Sequence, residues 1–167
     1  VAVTPLQQIC AISAVVNGGM LYQPQLIKQI TNPDGSTYYN NSLTPVRRVV
    51  SQETSSQINI MLEEVVSKMG KYTFIPGYEV GGKTGTAQKV KDGVYLKDNH
   101  IVSFIGFAPA DDPEVVVYVA VDNPKGTIQF GGVVAAPIVG NIMKDALIQL
   151  NVKPREGGLE KEKAWND

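Results

Sequence analysis

Val80-Gly81-Gly82-Lys83-Thr84-Gly85-Thr86-Ala87-Gln88 sets one lysine among three glycines and two threonines, and the fold turns on whether this stretch is a loop or a strand. Glycines let another group approach the backbone, threonines offer hydroxyl donors and Lys83 adds a positive charge, so the segment reads as an anion cradle. As a loop it would serve a nucleotide. Gly77-Tyr78-Glu79-Val80-Gly81-Gly82-Lys83-Thr84 fits the phosphate-loop pattern G-x-x-x-x-G-K-[ST], and the apolar run 115–121 ends in Asp122, imitating the strand that carries a magnesium-binding aspartate. That pattern works only with a strand before it and a helix starting at the lysine, whose free N–H groups hold the phosphate. Pro76 and Gly77 interrupt the strand, while Gly85, the β-branched Thr86 and Gly93 leave too little room for the helix.

As a strand, the same residues sort by alternation. Thr84 and Thr86 fall on one face, and Lys83 with the side-chain-free Gly85 on the other. This suits a carboxylate-bearing acyl substrate: the hydroxyls bind its carboxylate, the lysine raises the local positive potential, and the bare Gly85 lets a facing catalytic helix come close. Lys83-Thr84-Gly85 is then the K-T-G triplet that serine penicillin-binding proteins and β-lactamases share.

The resemblance extends beyond that triplet. Val3-Thr4-Pro5-Leu6-Gln7, Asn17-Gly18-Gly19, the stretch 80–88, His100-Ile101-Val102-Ser103-Phe104-Ile105-Gly106-Phe107-Ala108-Pro109-Ala110 and Val134-Ala135-Ala136-Pro137 occur in the order found in class B penicillin-binding proteins. The chain resembles that family over nearly all of residues 1–150, and within it is most similar to the sporulation type. The family's nucleophilic serine lies in an S-x-x-K motif and a second motif reads S-x-N; neither occurs here, and Ser67-Lys68-Met69-Gly70 has its lysine one residue after the serine instead of three. By resemblance the chain begins just downstream of both, so residues 1–152 are expected to be the C-terminal part of a transpeptidase domain and 153–167 a charged tail or linker.

The resemblance implies the penicilloyl-serine transferase fold and, for the parent protein, D-alanyl-D-alanine transpeptidation of peptidoglycan stem peptides. Lys83 would sit against the second-motif serine, and Thr84 and Thr86 would hold the carboxylate of substrate or β-lactam. The N–H of Thr86 would give one oxyanion donor and the nucleophile's own N–H the other. The implied partners are stem peptides, β-lactams and the missing N-terminal part of the same domain. The implied location is the extracytoplasmic face of a bacterial membrane, with the anchor outside this chain. No metal or organic cofactor is implied. A non-catalytic peptide-binding module using the same strand, and the nucleotide binder, remain the other classes.

Composition agrees with a globular role. At 167 residues the chain is long enough for one domain burying roughly 70% of its unfolded surface. Its 15 basic and 16 acidic side chains nearly cancel, leaving no field for nucleic acid or an anionic membrane. No apolar run approaches the roughly 20 residues of a membrane span, and no signal peptide is present, so the chain as given reads as soluble. The single Cys10 cannot form an internal disulfide and reads as a small buried residue, since His100, the only histidine, shows no orienting partner.

The expected architecture is α/β, an antiparallel sheet of strands near 79–88, 100–108 and 114–122 covered by the first and last helices. Thr4-Pro5 starts a helix that Asn17-Gly18-Gly19 stops. A hairpin comes next, turning at Asn32-Pro33-Asp34-Gly35, and Arg47-Arg48 reads as a solvated pair. Ser51 caps a second helix with an apolar stripe at Ile58, Met61, Leu62, Val65 and Met69, a wet Glu63-Glu64 face and a C-cap at Gly70. Residues 89–99 read as a loop or hairpin end beside the cleft, and Asp111-Asp112, between prolines, as a turn in preference to a metal pair. Pro124-Lys125-Gly126 and Gly131-Gly132 mark a loop. The last helix, 134–150, has Pro137 in its first turn and a stripe at Ile138, Ile142, Ala146 and Leu150, helped by Met143 and Leu147. Trp165 lies in the tail.

Overall fold

The structure is a computed structural model that describes residues 2–68, 75–125 and 128–155. Met69, Gly70, Gly126 and the tail from residue 156, with Trp165, lie outside the described residues. The chain divides into two compact units, residues 1–55 and 56–167.

In the first unit α1 spans Pro5–Val16, where it was expected. Thr4 Oγ1 accepts from Gln7 N at 3.2 Å while Thr4 N donates to Gln7 Oε1 at 2.9 Å, a reciprocal box that satisfies two otherwise free N–H groups. Asn17, with Gly18 and Gly19 at positive φ, turns the chain into β1 (Met20–Tyr22), and the Asn17 amide holds both the N–H and the C=O of Met20. The expected hairpin is β2 (Gln29–Thr31) and β3 (Thr37–Asn40), with Gly35 N donating to Asn32 O at 3.0 Å across its turn. Strand β1 pairs antiparallel with β4 (Pro45–Arg48), so Arg47-Arg48 belongs to a strand, and Arg48 donates to the carbonyl of Gly18.

Helix α2 (Gln52–Ser67) is capped as expected, Thr54 N donating to Ser51 Oγ at 3.0 Å. Its inner face differs from the expected stripe. Ser55, Asn59 and Val66 are buried, Ile58 and Leu62 half-buried, and Met61 and Val65 exposed. Ser55 sits inside because it has a partner there: its Oγ accepts from Gly18 N at 3.0 Å. Glu63 is half-buried, whereas Glu64 is exposed and pairs with Lys68 at 2.6 Å.

The second unit is built on a three-stranded antiparallel sheet in the order β5 (Gly81–Lys91), β6 (Val94–Ala108), β7 (Val115–Asp122). Of the two expectations for 89–99, loop or hairpin end, the structure has the hairpin end, with strand on both sides of its turn. Val90 faces Tyr95, Lys91 faces Val94, and only Asp92 (φ 52) and Gly93 (φ 78) turn the corner. Two residues at positive φ match the right-handed twist of the flanking strands, and Asp-Gly is the pair best suited to that geometry. Between β6 and β7 the turn 109–113 forms as expected.

The last helix is broken at Ala135 into α3 (Gly131–Val134) and α4 (Ala136–Gln149). Its period is as expected and its phase is one residue away. Val139, Met143 and Leu147 are fully buried, while Ile138, Ile142 and Leu150 are 43%, 46% and 56% exposed. Gly106 on β6 explains the choice of face: a side chain there would meet Val139 Cγ1 at 3.1 Å and Met143 Cε at 3.2 Å, so those two fill space that the glycine leaves. Phe104, Ala108 and Val80 complete this core. Lys153–Arg155, expected in the tail, are tied down. Arg155 N donates to Gly77 O at 2.8 Å and its guanidinium pairs with Asp111, while Tyr78 Oη donates to Val152 O at 2.5 Å. The residues leading into β5 are thereby held in place.

Candidate functional site on the edge strand

Among the described residues strand β5 pairs with β6 on one side only. The register puts Thr84 opposite Phe104 and Thr86 opposite Val102, on the face that carries the α4 core; Lys83 faces Ile105 and Gly85 faces Ser103 on the reverse face. The expected sorting of the four residues is therefore present. Asn123 N donates to His100 O at 2.8 Å in the same register as the β6–β7 ladder, so the even-numbered residues of β6 turn their backbone groups toward β7. The odd-numbered ones turn theirs toward β5, where they meet Lys83, Gly85 and Ala87. By alternation the backbone N–H and C=O of Thr84 and Thr86 point away from the sheet, over its open edge.

Lys83 and Thr86 are exposed and Thr84 is half-buried. Lys83 Nζ makes one long contact, 3.4 Å to Thr84 O, and no ion pair among the described residues. An ammonium, two hydroxyls and outward N–H groups lie along one exposed strand edge, which is an arrangement for receiving an anionic or acyl group.

Gly81 and Gly82 have a different purpose from the one expected. A Cβ at Gly81 would lie 2.2 Å from the Phe107 ring, and one at Gly82 would lie 2.6 Å from both Ile105 O and the Phe104 ring. The groups that approach the backbone before Lys83 are thus aromatic rings from β6, one on each face, and not an anion. Gly85 meets only Ser103 Oγ, at 2.5 Å from its missing Cβ. No sequence signal marks Ser103, because cross-strand partners are visible only once the register is known.

The nucleotide reading fails on structure. Residues 81–91 are continuous strand, so no helix begins at Lys83, and the Asp122 carboxylate is paired with Lys89 at 2.7 Å. Ser67-Lys68 ends α2, with Ser67 Oγ donating to Glu64 O. Cys10 is half-buried on α1. His100 does have an orienting partner, contrary to expectation: its Nδ1 lies 2.6 Å from Gln129 Oε1, and Gln129 Nε2 donates to Pro124 O at 3.2 Å. The Asp111 carboxyl is held below its ordinary value by the hydrogen bond from Arg155, so that tie persists at neutral pH and is lost only as the pH falls below the usual carboxylate range. No group of three or more metal-ligating side chains occurs, and no helix is long and apolar enough to cross a membrane, among the described residues.

Residues 1–144 match the family model of the penicillin binding protein transpeptidase domain. Stage V sporulation protein D of Bacillus subtilis is 62% identical over 169 residues, covering 100% of this chain and 26% of that protein. A probable peptidoglycan D,D-transpeptidase PenA of Neisseria meningitidis is 34% identical, covering 89% of this chain and 24% of its own length. Penicillin binding protein 3 of Mycobacterium tuberculosis, solved in complex with ampicillin, superposes with a TM-score of 0.78 at 32% identity, covering 92% of this chain and 36% of that one. The chain thus spans about a quarter of the length of the curated relatives it matches. With a family match over residues 1–144, that identity and the mixed helix and antiparallel-sheet fold in agreement, the chain belongs to the penicillin-binding protein transpeptidase domain family.

Proposed function

We propose that the protein carrying this chain is a serine D,D-transpeptidase that cross-links peptidoglycan stem peptides, and that this chain supplies the strand against which the substrate lies. The observation that carries the reading is the open edge of β5, where Lys83, Thr84, Gly85 and Thr86 stand with the backbone of both threonines directed outward. An extended acyl-D-alanyl-D-alanine fits such an edge as an added strand. The hydroxyls of Thr84 and Thr86 hold its terminal carboxylate, and the Thr86 N–H meets the oxygen of the carbonyl under attack. Lys83 lies on the reverse face and sets the electrostatics of a serine supplied by the rest of the domain. The nucleophilic serine attacks the penultimate D-alanine carbonyl, terminal D-alanine leaves, and the acyl group passes to an amine of a neighbouring strand.

In this reading residues 1–152 belong to the C-terminal part of the transpeptidase domain, with Arg155 held against it, and the protein works on the extracytoplasmic face of a bacterial membrane. Its partners are stem peptides, β-lactams and the remainder of the same domain. The similarity to a sporulation protein supports a role in the cell wall made during sporulation. The test is release of D-alanine from a stem peptide ending in D-alanyl-D-alanine by the intact protein. Release coupled to cross-link formation with an acceptor amine is expected, and a folded intact protein that binds the peptide without releasing D-alanine would mark it as the peptide-binding module instead.

A further inference from the structure

Gly131, the first residue of α3, is buried, and a Cβ on it would lie 2.0 Å from Ser103 O and 2.9 Å from Gly85 O. Both are main-chain atoms, which cannot rotate aside as a side chain can. Its φ is not in the left-handed region, so the position requires glycine for space and not for conformation. The second of these oxygens belongs to the glycine inside the K-T-G triplet itself.

Neither end of α3 is free to slide off that contact. On one side Gln129 is bonded to His100 of β6, and on the other Ala135 and Ala136 are fully buried in the α4 core. A methyl group at position 131 therefore has to be absorbed by the β5–β6 pair. The Gly85 C=O and the Thr86 N–H belong to one planar trans peptide, so pushing the oxygen from one side tilts the N–H on the other. That N–H faces the open edge of the sheet.

We infer that Gly131 is a positioning residue for the reaction: pressed on the Gly85–Ser103 pair, it holds the Gly85–Thr86 peptide plane and so aims the Thr86 N–H at the developing oxyanion. This role rests on the transpeptidase reading. It separates rate from binding, because a mis-aimed oxyanion donor costs most where charge has developed, in the transition state, and removal of such a donor costs about a hundredfold or more.

The experiment is rapid-mixing acylation of the intact protein by a β-lactam, resolving the acylation rate constant from the initial dissociation constant, for Gly131→Ala beside Gly106→Ala. The second variant crowds Phe104, Val139 and Met143 in the core at 3.0–3.2 Å and controls for general loss of stability. Gly131→Ala is expected to lower the rate constant by about tenfold to a hundredfold with the dissociation constant changed less than about threefold, and to shift the Thr86 amide resonance of labelled protein. Gly106→Ala at a comparable melting temperature is expected to do neither. Should Gly131→Ala not fold, Gln129→Leu cuts the tie to His100 and is expected to move the same rate constant and amide in the same direction. An unmoved Thr86 amide, or equal rate losses in the two glycine variants, would overturn the inference. A wild-type protein that is folded yet never acylated would overturn the transpeptidase reading instead, and the amide shift would then stand or fall by itself.

Discussion

Lys83→Ala in the intact protein is expected to slow acylation by a β-lactam at least about tenfold while leaving the melting temperature nearly unchanged. The second half follows from the exposed side chain, whose ammonium makes one long hydrogen bond, to Thr84 O, among the described residues. No described residue of this chain forms an ion pair with the ammonium. The first half follows from its place on the strand proposed to bind substrate, where a charge-assisted interaction desolvated by the rest of the domain would contribute about 1.5–3 kcal/mol. Since about 1.4 kcal/mol is tenfold in rate, the expected loss is about tenfold to a hundredfold. Stopped-flow acylation and thermal melting of one preparation decide it: acylation at the wild-type rate removes Lys83 from the site, and a large drop in melting temperature gives it a structural duty.

A second variant is expected to do more damage with no polar group lost. Gly85→Val abolishes acylation, whereas Thr84→Ala and Thr86→Ala weaken it about tenfold, each losing one hydroxyl while the Thr86 N–H remains. The valine meets two obstacles. Within this chain its Cβ falls 2.5 Å from Ser103 Oγ, the end of a small side chain that can turn away or be removed. In the proposed function it also projects, on the Lys83 face, toward the part of the domain that would bring the nucleophile. The double variant Gly85→Ala with Ser103→Ala separates the two, because it frees space in the sheet while keeping a Cβ on the strand. A folded double variant, checked by circular dichroism, is expected to stay severely impaired. Recovery of wild-type acylation in it would mean that the strand is not faced by the nucleophile on that side.

Both expectations depend on β5, which was legible because its chemistry and its period agree: hydroxyls on one face, lysine and a bare glycine on the other. Helix α1 was legible for a similar reason, since Thr4-Pro5 supplies cap and first-turn proline and Asn17-Gly18-Gly19 the stop. The phase of α4 was not. Apolar residues at 138 and 142 lie beside apolar residues at 139, 143 and 147, so periodicity shows a helix without choosing its face; Gly106, far away in sequence, makes the choice. In α2 the difference has the opposite origin, because polar Ser55 and Asn59 occupy the inside. Strands β1 and β4 are too short to show alternation. The role of Gly81 and Gly82 was out of reach for the same reason as that of Ser103, as their constraint comes from the rings of Phe104 and Phe107 across the sheet.

The candidate site divides in the same way. Lys83, Thr84, Gly85 and Thr86 were readable from the strand itself, and their faces are as expected. The outward direction of the Thr86 N–H depends on the β5–β6 register, and the pressure of Gly131 on Gly85 on a contact between segments far apart in the chain, neither of which a local pattern encodes.

In the proposed function this chain provides the substrate-binding strand of a serine acylation site whose nucleophile lies outside it. Incubating the purified chain and the intact protein with a fluorescent penicillin, and separating both on a denaturing gel, decides between that arrangement and its alternatives. The intact protein is expected to carry covalent label and the chain alone none; covalent label on the chain alone, or a folded intact protein that takes no label, would contradict the account.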